Sequence, residues 1–380
     1  MSLSKRLALV VGAALLVAAG PAFAQSRTLH LGLVGIMTGP NAQNGEFCRN
    51  GAQLAIDEIN AAGGVRLPDG GSATLELVVV DDQAKPDIGL NAIRKLASDE
   101  RVLAFLGPDF SGITLPSLFV GAEAGLPQIT SSIGAKVTQS GYTHVFRGRS
   151  NDVTWMKALV DYAVGDRKAK SVGVSFTNIE LGRSGRDVAV AYLKEKYGIE
   201  PVVDVSHGFG DRDLTASAAR IVQAKPDLLI NWGTQIEAAL LLKELRNLGW
   251  KGTFAFNAAD DIFVGLAKET AAGVIGPQNW VWTKDDAGTT RFVREYERRH
   301  GKKPSPHSIV YYDGVRLLAQ AIEKGGASRK AIMAYLHGLD RWQGVQGTYV
   351  PSAKGGDIST ATVIIRYTDE LVPQVVASYP

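Results

Sequence analysis

The 380-residue chain is 45% hydrophobic and 21% charged, with 41 Lys and Arg against 38 Asp and Glu, a formal net charge of +3. That composition excludes intrinsic disorder and supplies enough apolar material for two packed cores rather than one. The near-neutral balance gives no electrostatic basis for binding nucleic acid or an anionic membrane, so neither is expected as a partner.

Lys5 and Arg6 precede an apolar run, Leu7 to Ala19, which leads to Ala22-Phe23-Ala24. A basic start, a short apolar core and an A-x-A end predict a secretory signal peptide over residues 1–24 and a periplasmic mature chain from Gln25. The run of about 13 residues falls short of the ~18 that a membrane span needs. Losing the two cations brings the net charge to +1. Cys48 is the single cysteine, so no internal disulfide can form, and it reads as a small side chain on a helix face.

Thr28–Met37 is a β-rich apolar run ending in Thr38-Gly39-Pro40. Phe47, Ala52, Ala55, Ile56 and Ile59 then recur at helical spacing until Gly63-Gly64. Strand Thr74–Val80, helix Ile88–Ala97, strand Val102–Leu106, helix Leu115–Ala124 and a short strand at Pro127–Thr130 follow. The second half repeats the rhythm, with strands at Ser171–Phe176, Val202–Ser206, Leu228–Trp232 and Thr253–Phe256. Helices at Gly185–Tyr197, Leu214–Ala224 and Glu237–Leu248 separate them. Helices Thr289–His300, Ile309–Lys324 and Arg329–His337 and a strand at Thr360–Tyr367 complete the chain, too few pieces for a third domain. Strands alternating with single helices predict an α/β fold of two doubly wound parallel-sheet lobes.

In such sheets ligands sit beyond the carboxyl ends of the strands. The loops to inspect are therefore Thr38–Gly45, Gly107–Thr114, Thr130–Gly134, Thr177–Gly182, Trp232–Gln235 and Asn257–Asp260. None carries a phosphate loop, and Gly32-Leu-Val-Gly35 reads as tight packing rather than a dinucleotide site. The six histidines are scattered without metal spacing and read as surface or packing residues. Asp81-Asp82 and Asp260-Asp261 read as helix caps or solvated loop ends. No nucleophile elbow is present. No catalytic residue, metal or cofactor is expected, and the chain is not expected to be an enzyme.

Several segments together resemble the leucine/isoleucine/valine-binding protein family, the type I periplasmic binding proteins of ABC transporters. They are Gly35-Ile-Met-Thr-Gly-Pro40, Asn50-Gly-Ala-Gln-Leu-Ala-Ile-Asp-Glu-Ile-Asn60, Gly63-Gly64 and Asp81-Asp82-Gln83. Gly107 with Ser111 and Thr114, Gly141-Tyr142 to Phe146-Arg147, and Tyr311-Tyr312-Asp313-Gly314 continue the series. The resemblance implies two lobes joined by three hinge crossings, near Gly148, Pro277 and Asp357. One lobe would hold residues 25–148 plus 278–357, the other 149–277 plus 358–380. It also implies hinge closure on a small molecule, a permease of an ABC importer as partner, and a monomer.

The family's ligand carboxylate site falls on Ser111, beside Phe110, with Ser132 and Gly134 in the following loop and Asn44 in the first loop. On the opposite lobe the family's tyrosine falls on Leu181, its second tyrosine near Thr234, and its ammonium-pairing acid on Ala258. An ammonium buried without a carboxylate incurs a desolvation cost of several kcal/mol. Unless Asp152 or Asp260 substitutes, the pocket therefore favours a small carboxylate lacking an α-amine, an aromatic or apolar acid. A branched-chain or other amino acid is the alternative, and a periplasmic ligand-sensing component of a signalling receptor the alternative of another class. Phe110, Trp155, Leu181, Trp232, Trp280 and Trp282 are the candidate apolar walls. Arg149 is expected at the solvated surface unless it pairs with a ligand carboxylate.

Overall fold

The computed structural model describes residues 27–352 and 356–379, and the predicted signal peptide lies outside them. The first sheet runs β2-β3-β1-β4-β5-β6 across six strands. These are β1 (Arg27–Gly35), β2 (Val65–Arg66), β3 (Ser72–Asp81), β4 (Val102–Leu106), β5 (Gln128–Thr130) and β6 (Val145–Arg147). All neighbours pair in parallel except β2 with β3. β4 reads Val-Leu-Ala-Phe-Leu and is buried along its whole length, as a parallel strand covered on both faces must be.

The second sheet has seven strands: β7 (Val172–Thr177), β8 (Val203–His207), β9 (Leu228–Trp232), β10 (Thr253–Phe256), β11 (Ile275–Gln278), β15 (Thr362–Tyr367) and β16 (Pro373–Tyr379). Its order is β16-β15-β11-β10-β9-β7-β8. β15 and β16 join antiparallel, so this sheet is mixed where the sequence predicts a purely parallel one. Between them β12 (Trp342–Gln343), β13 (Thr348–Pro351) and β14 (Ile358–Ser359) form a small antiparallel sheet.

Three late helices, α10 (Ala287–His300), α11 (Pro306–Gly325) and α12 (Arg329–His337), build the first lobe's core rather than one of their own. Phe292, Tyr296, Ile309, Val315 and Ile332 share one apolar cluster with Leu31, Phe47 and Leu54. The sequence starts these helices with local acceptors: Asp286, Ser305 and Ser328 take backbone N–H bonds from Thr289, His307 and Ala331. Each cap contributes about 1 kcal/mol. α11 crosses α1 (Ala42–Ala61) so closely that a Cβ on Gly51 would sit 2.0 Å from the Ser308 carbonyl oxygen. Separate clusters centred on Trp155 and on Phe254 and Phe263 form the second lobe's interior. Among the described residues no helix is long and apolar enough to cross a membrane.

Both sheets reverse direction next to a central strand. β1 lies between β3 and β4, and β7 between β8 and β9. Loops after these strands diverge to opposite faces and leave a crevice at the carboxyl ends. The crevices of the two sheets face each other.

Candidate functional site

A cavity of about 260 Å³ lies between the lobes. Asn44, Asp109, Phe110, Ser111 and Ile113 reach it from the loops after β1 and β4 of the first sheet. Ile179, Glu180, Leu181, Thr234, Gln235, Ala258 and Asp260 reach it from the loops after β7, β9 and β10 of the second. Ile133, Trp155, Phe209, Gln278 and His307 complete much of the wall.

Of the residues singled out from sequence, Asn44, Phe110, Ser111, Trp155, Leu181, Thr234, Ala258 and Asp260 line this cavity. Ser132, Gly134, Asp152 and Trp232 stand behind it. Ser132 turns its hydroxyl to the Pro108 and Asp109 carbonyls and to the Thr114 hydroxyl. Gly134 donates its amide to Ser111 Oγ at 3.0 Å, orienting that serine from behind. Asp152 accepts from the Ala135 amide and the Ser184 hydroxyl, so both oxygens are engaged. Trp232 is fully buried, packed against Gly185 in the second lobe's interior. Trp280 and Trp282 point elsewhere, donating to Thr289 Oγ1 and Asp261 Oδ1.

The loop carrying Ser132 and Gly134 is fixed by Arg147 at the end of β6. Its guanidinium donates to the carbonyls of Ser132, Gly134 and Ala135 and to Thr138 Oγ1, and pairs with Asp357 at 2.8 Å. Arg147 thus ties the loop that positions Ser111 to β6 and to Asp357.

Arg149, expected at the surface, is buried. It donates to the Ser131 carbonyl, approaches Asp109 at 3.7 Å and lies over the Trp155 ring at 5.2 Å. Asp109 also faces His307 Nδ1 at 3.2 Å, and His307 Nε2 faces Asp260 at 3.4 Å. Burial alone would push the Asp109 carboxyl up, but His307 and Arg149 hold it well below the usual carboxylate range. Burial likewise opposes the charge on His307, and the two carboxylates overcome it, raising the imidazole well above its ordinary value. The scattered histidine that the sequence assigned to surface or packing is therefore part of the cavity wall. Cys48 sits beneath this group with its thiol pushed up to about 11 by burial. Cys48, Asp109 and His307 bring their donor atoms within 4.8 Å of one another, but Arg149 and Asp260 already engage this cluster, and no metal is needed to neutralise it.

Three residues that line the cavity each carry a buried polar atom without a protein partner among the described residues: Glu180 Oε2, Gln278 Oε1 and Trp155 Nε1. Two accept and one donates. Burial, with Asp152 nearby, pushes the Glu180 carboxyl up. Buried polar groups without partners cost roughly 1–3 kcal/mol each. Glu180 precedes Leu181 directly and was missed because the family's acid falls at Ala258.

Two α/β lobes meeting over a small, mostly apolar cavity define a solute-binding protein. The chain belongs to the Leu/Ile/Val-binding family of ABC-transporter periplasmic binding proteins: the periplasmic binding protein family matches residues 28–370. That is a family of binding proteins for small molecules, not of enzymes. The chain is 29% identical over 316 residues to the Leu/Ile/Val-binding protein BraC3 of Rhizobium johnstonii, covering 79% of this chain and 80% of that one. In fold it is similar to the substrate-binding protein LivJ of Streptococcus pneumoniae, solved with isoleucine. The TM-score is 0.84 at 24% identity, over 93% of this chain and 99% of that one. It is also similar to an ABC-transporter solute-binding protein of Rhodopseudomonas palustris in complex with 3,4-dihydroxybenzoic acid. That TM-score is 0.81 at 21% identity, over 93% of this chain and 97% of that one.

Proposed function

We propose that this protein captures an apolar amino acid in the periplasm and delivers it to the permease of an ABC importer. The observation that carries the reading is that two cavity-lining residues, Glu180 and Gln278, each hold a buried acceptor without a protein partner among the described residues. An α-ammonium supplies three donors and a compensating charge. Glu180, on the second lobe, takes over from the missing acid at Ala258, with Asp260 close to His307 as a second carboxylate. The ligand carboxylate is received by Ser111 at the start of α3 (Ser111–Glu123), whose N-terminal amides favour an anion, and by Arg149. Phe110, Ile133, Trp155, Leu181 and Phe209 enclose the side chain. The lobes close by bending at three crossings near Gly148, Pro277 and Asp357, and the signal peptide accounts for delivery to the periplasm.

The amine-free aromatic acid favoured from sequence gives way for two reasons. The acid absent at Ala258 is replaced within the same cavity, and the relatives' names point to branched-chain amino acids. The guanidinium of Arg149 over the Trp155 ring still favours a planar carboxylate, which keeps the second reading in the test. A thermal-shift panel of apolar amino acids, aromatic acids, short acyl acids and amides decides between them. Bound ligand at about 100 times Kd adds about 2.7 kcal/mol of stability. Amino acids are expected to raise Tm, and a response confined to aromatic acids overturns the reading.

A further inference from the structure

We propose that His307 is the tie that holds the two lobes shut, one imidazolium donating to carboxylates from opposite lobes. The inference rests on the reading of the cavity as a closing interlobe cleft. His307 belongs to the first turn of α11, which packs with the first lobe. Its Nδ1 faces Asp109, which follows β4 of the same lobe, at 3.2 Å. Its Nε2 faces Asp260, which follows β10 of the second lobe, at 3.4 Å. All three side chains are buried.

A neutral imidazole has one N–H and one lone pair, so it can satisfy only one of two carboxylates and repels the other. Both contacts are attractive only when both nitrogens carry protons. The remaining groups facing the ring do not supply that charge. Cys48 is a neutral thiol, Arg149 lies 3.7 Å from the same Asp109 oxygen that His307 faces and leaves Asp260 without a cation, and Gln235 donates to Asp260 without neutralising it. Opening the cleft leaves the Asp109 contact intact, since both partners move with the first lobe. It breaks the Asp260 contact, and only that bond reports on closure. Asp260 also caps α9 (Asp261–Ala267) by accepting from the Phe263 amide, which fixes the position of its carboxylate.

The sign of the pH dependence follows. Closure raises the affinity of His307 for its proton, so the tie is complete at and below neutral pH and is lost as pH rises through the raised value. A merely structural histidine would not couple lobe separation to alkalinity.

The test is small-angle X-ray scattering from the ligand-free full mature chain at about pH 6 and about pH 10. Wild type, His307→Gln and Asp260→Asn are compared after circular dichroism establishes that each folds. Asparagine preserves the cap of α9, so that variant removes the interlobe acceptor without unravelling the helix. The expected result is a compact wild type near pH 6 whose radius of gyration grows near pH 10, with the closed population changing roughly tenfold to a hundredfold. Both variants are expected to have the larger radius at both pH values. Variants as compact as wild type, or a wild-type radius unchanged by pH, would overturn the tie. No ligand enters the measurement, so an error about the amino acid leaves this outcome intact, and the reverse also holds.

Discussion

Replacing Arg147 with methionine keeps most of the side chain's volume and removes its charge. The guanidinium is fully buried, and its partner Asp357 is only 13% exposed. Without it, Asp357 loses its ion pair, the Ser132 and Ala135 carbonyls lose the guanidinium as donor, and the Gly134 carbonyl keeps only the Val137 amide. Breaking a buried pair from one side costs about 3–5 kcal/mol. Each stranded carbonyl adds roughly 1–3 kcal/mol unless water reaches it. These losses overlap, because the loop can shift and hydrate, so about 4 kcal/mol is the expected total. For a lobe of this size that corresponds to a fall in Tm of roughly 8–16 °C, read by scanning calorimetry of the ligand-free protein. Lysine should recover less than half, since one ammonium cannot span acceptors arranged around a planar fork. A methionine variant within about 1 kcal/mol of wild type would refute the view that Arg147 fastens the loop behind Ser111.

Glu180→Gln should weaken an amine-bearing ligand by roughly tenfold to a hundredfold and leave its deaminated analogue unchanged or tighter. Parallel calorimetric titrations check it, and equal losses for both ligands would contradict an ammonium at Glu180. Asp82 is fully buried with one oxygen unpartnered, and burial pushes its carboxyl up to about 6. The folded chain therefore holds this proton more tightly than the unfolded one, so stability falls as pH rises from about 4 to about 6, by about 3 kcal/mol. Urea unfolding across that range should show Asp82→Asn lacking this decline, and an identical slope in the variant would refute it.

The fold was legible because nearly every strand is a short apolar run closed by Gly, Pro or Asp, followed by a helix-spaced pattern. The strands missed are those with weak local signals. β6 is three residues long, and β11 reads Ile-Gly-Pro-Gln, carrying the two residues that ordinarily argue against a strand. β16 sits at the sheet edge, exposed at several positions and without strict alternation.

In the site, parallel sheets point to the loops after the strands, and the family resemblance picks Ser111, Leu181 and Thr234 within them, with Asp260 as the substitute acid. Sequence spacing could not show that Asp109 and His307, 198 residues apart, meet at 3.2 Å. Nor could it show that Arg149 is drawn inward by Asp109 and the Trp155 ring. The family resemblance assigns Ser132 and Gly134 to the ligand, and Asp152 enters only as a substitute for the acid missing at Ala258. Whether their polar atoms face the cavity or the loop's own backbone depends on Arg147 and α6 (Glu180–Tyr192), which sequence places far away.

Titration calorimetry of the mature protein with L-leucine and with 4-methylpentanoate, the same skeleton without its amine, tests the central claim most directly. A cleft built around an ammonium predicts leucine tighter by at least roughly tenfold, with no product formed on prolonged incubation. Equal or tighter binding of the amine-free acid would contradict it.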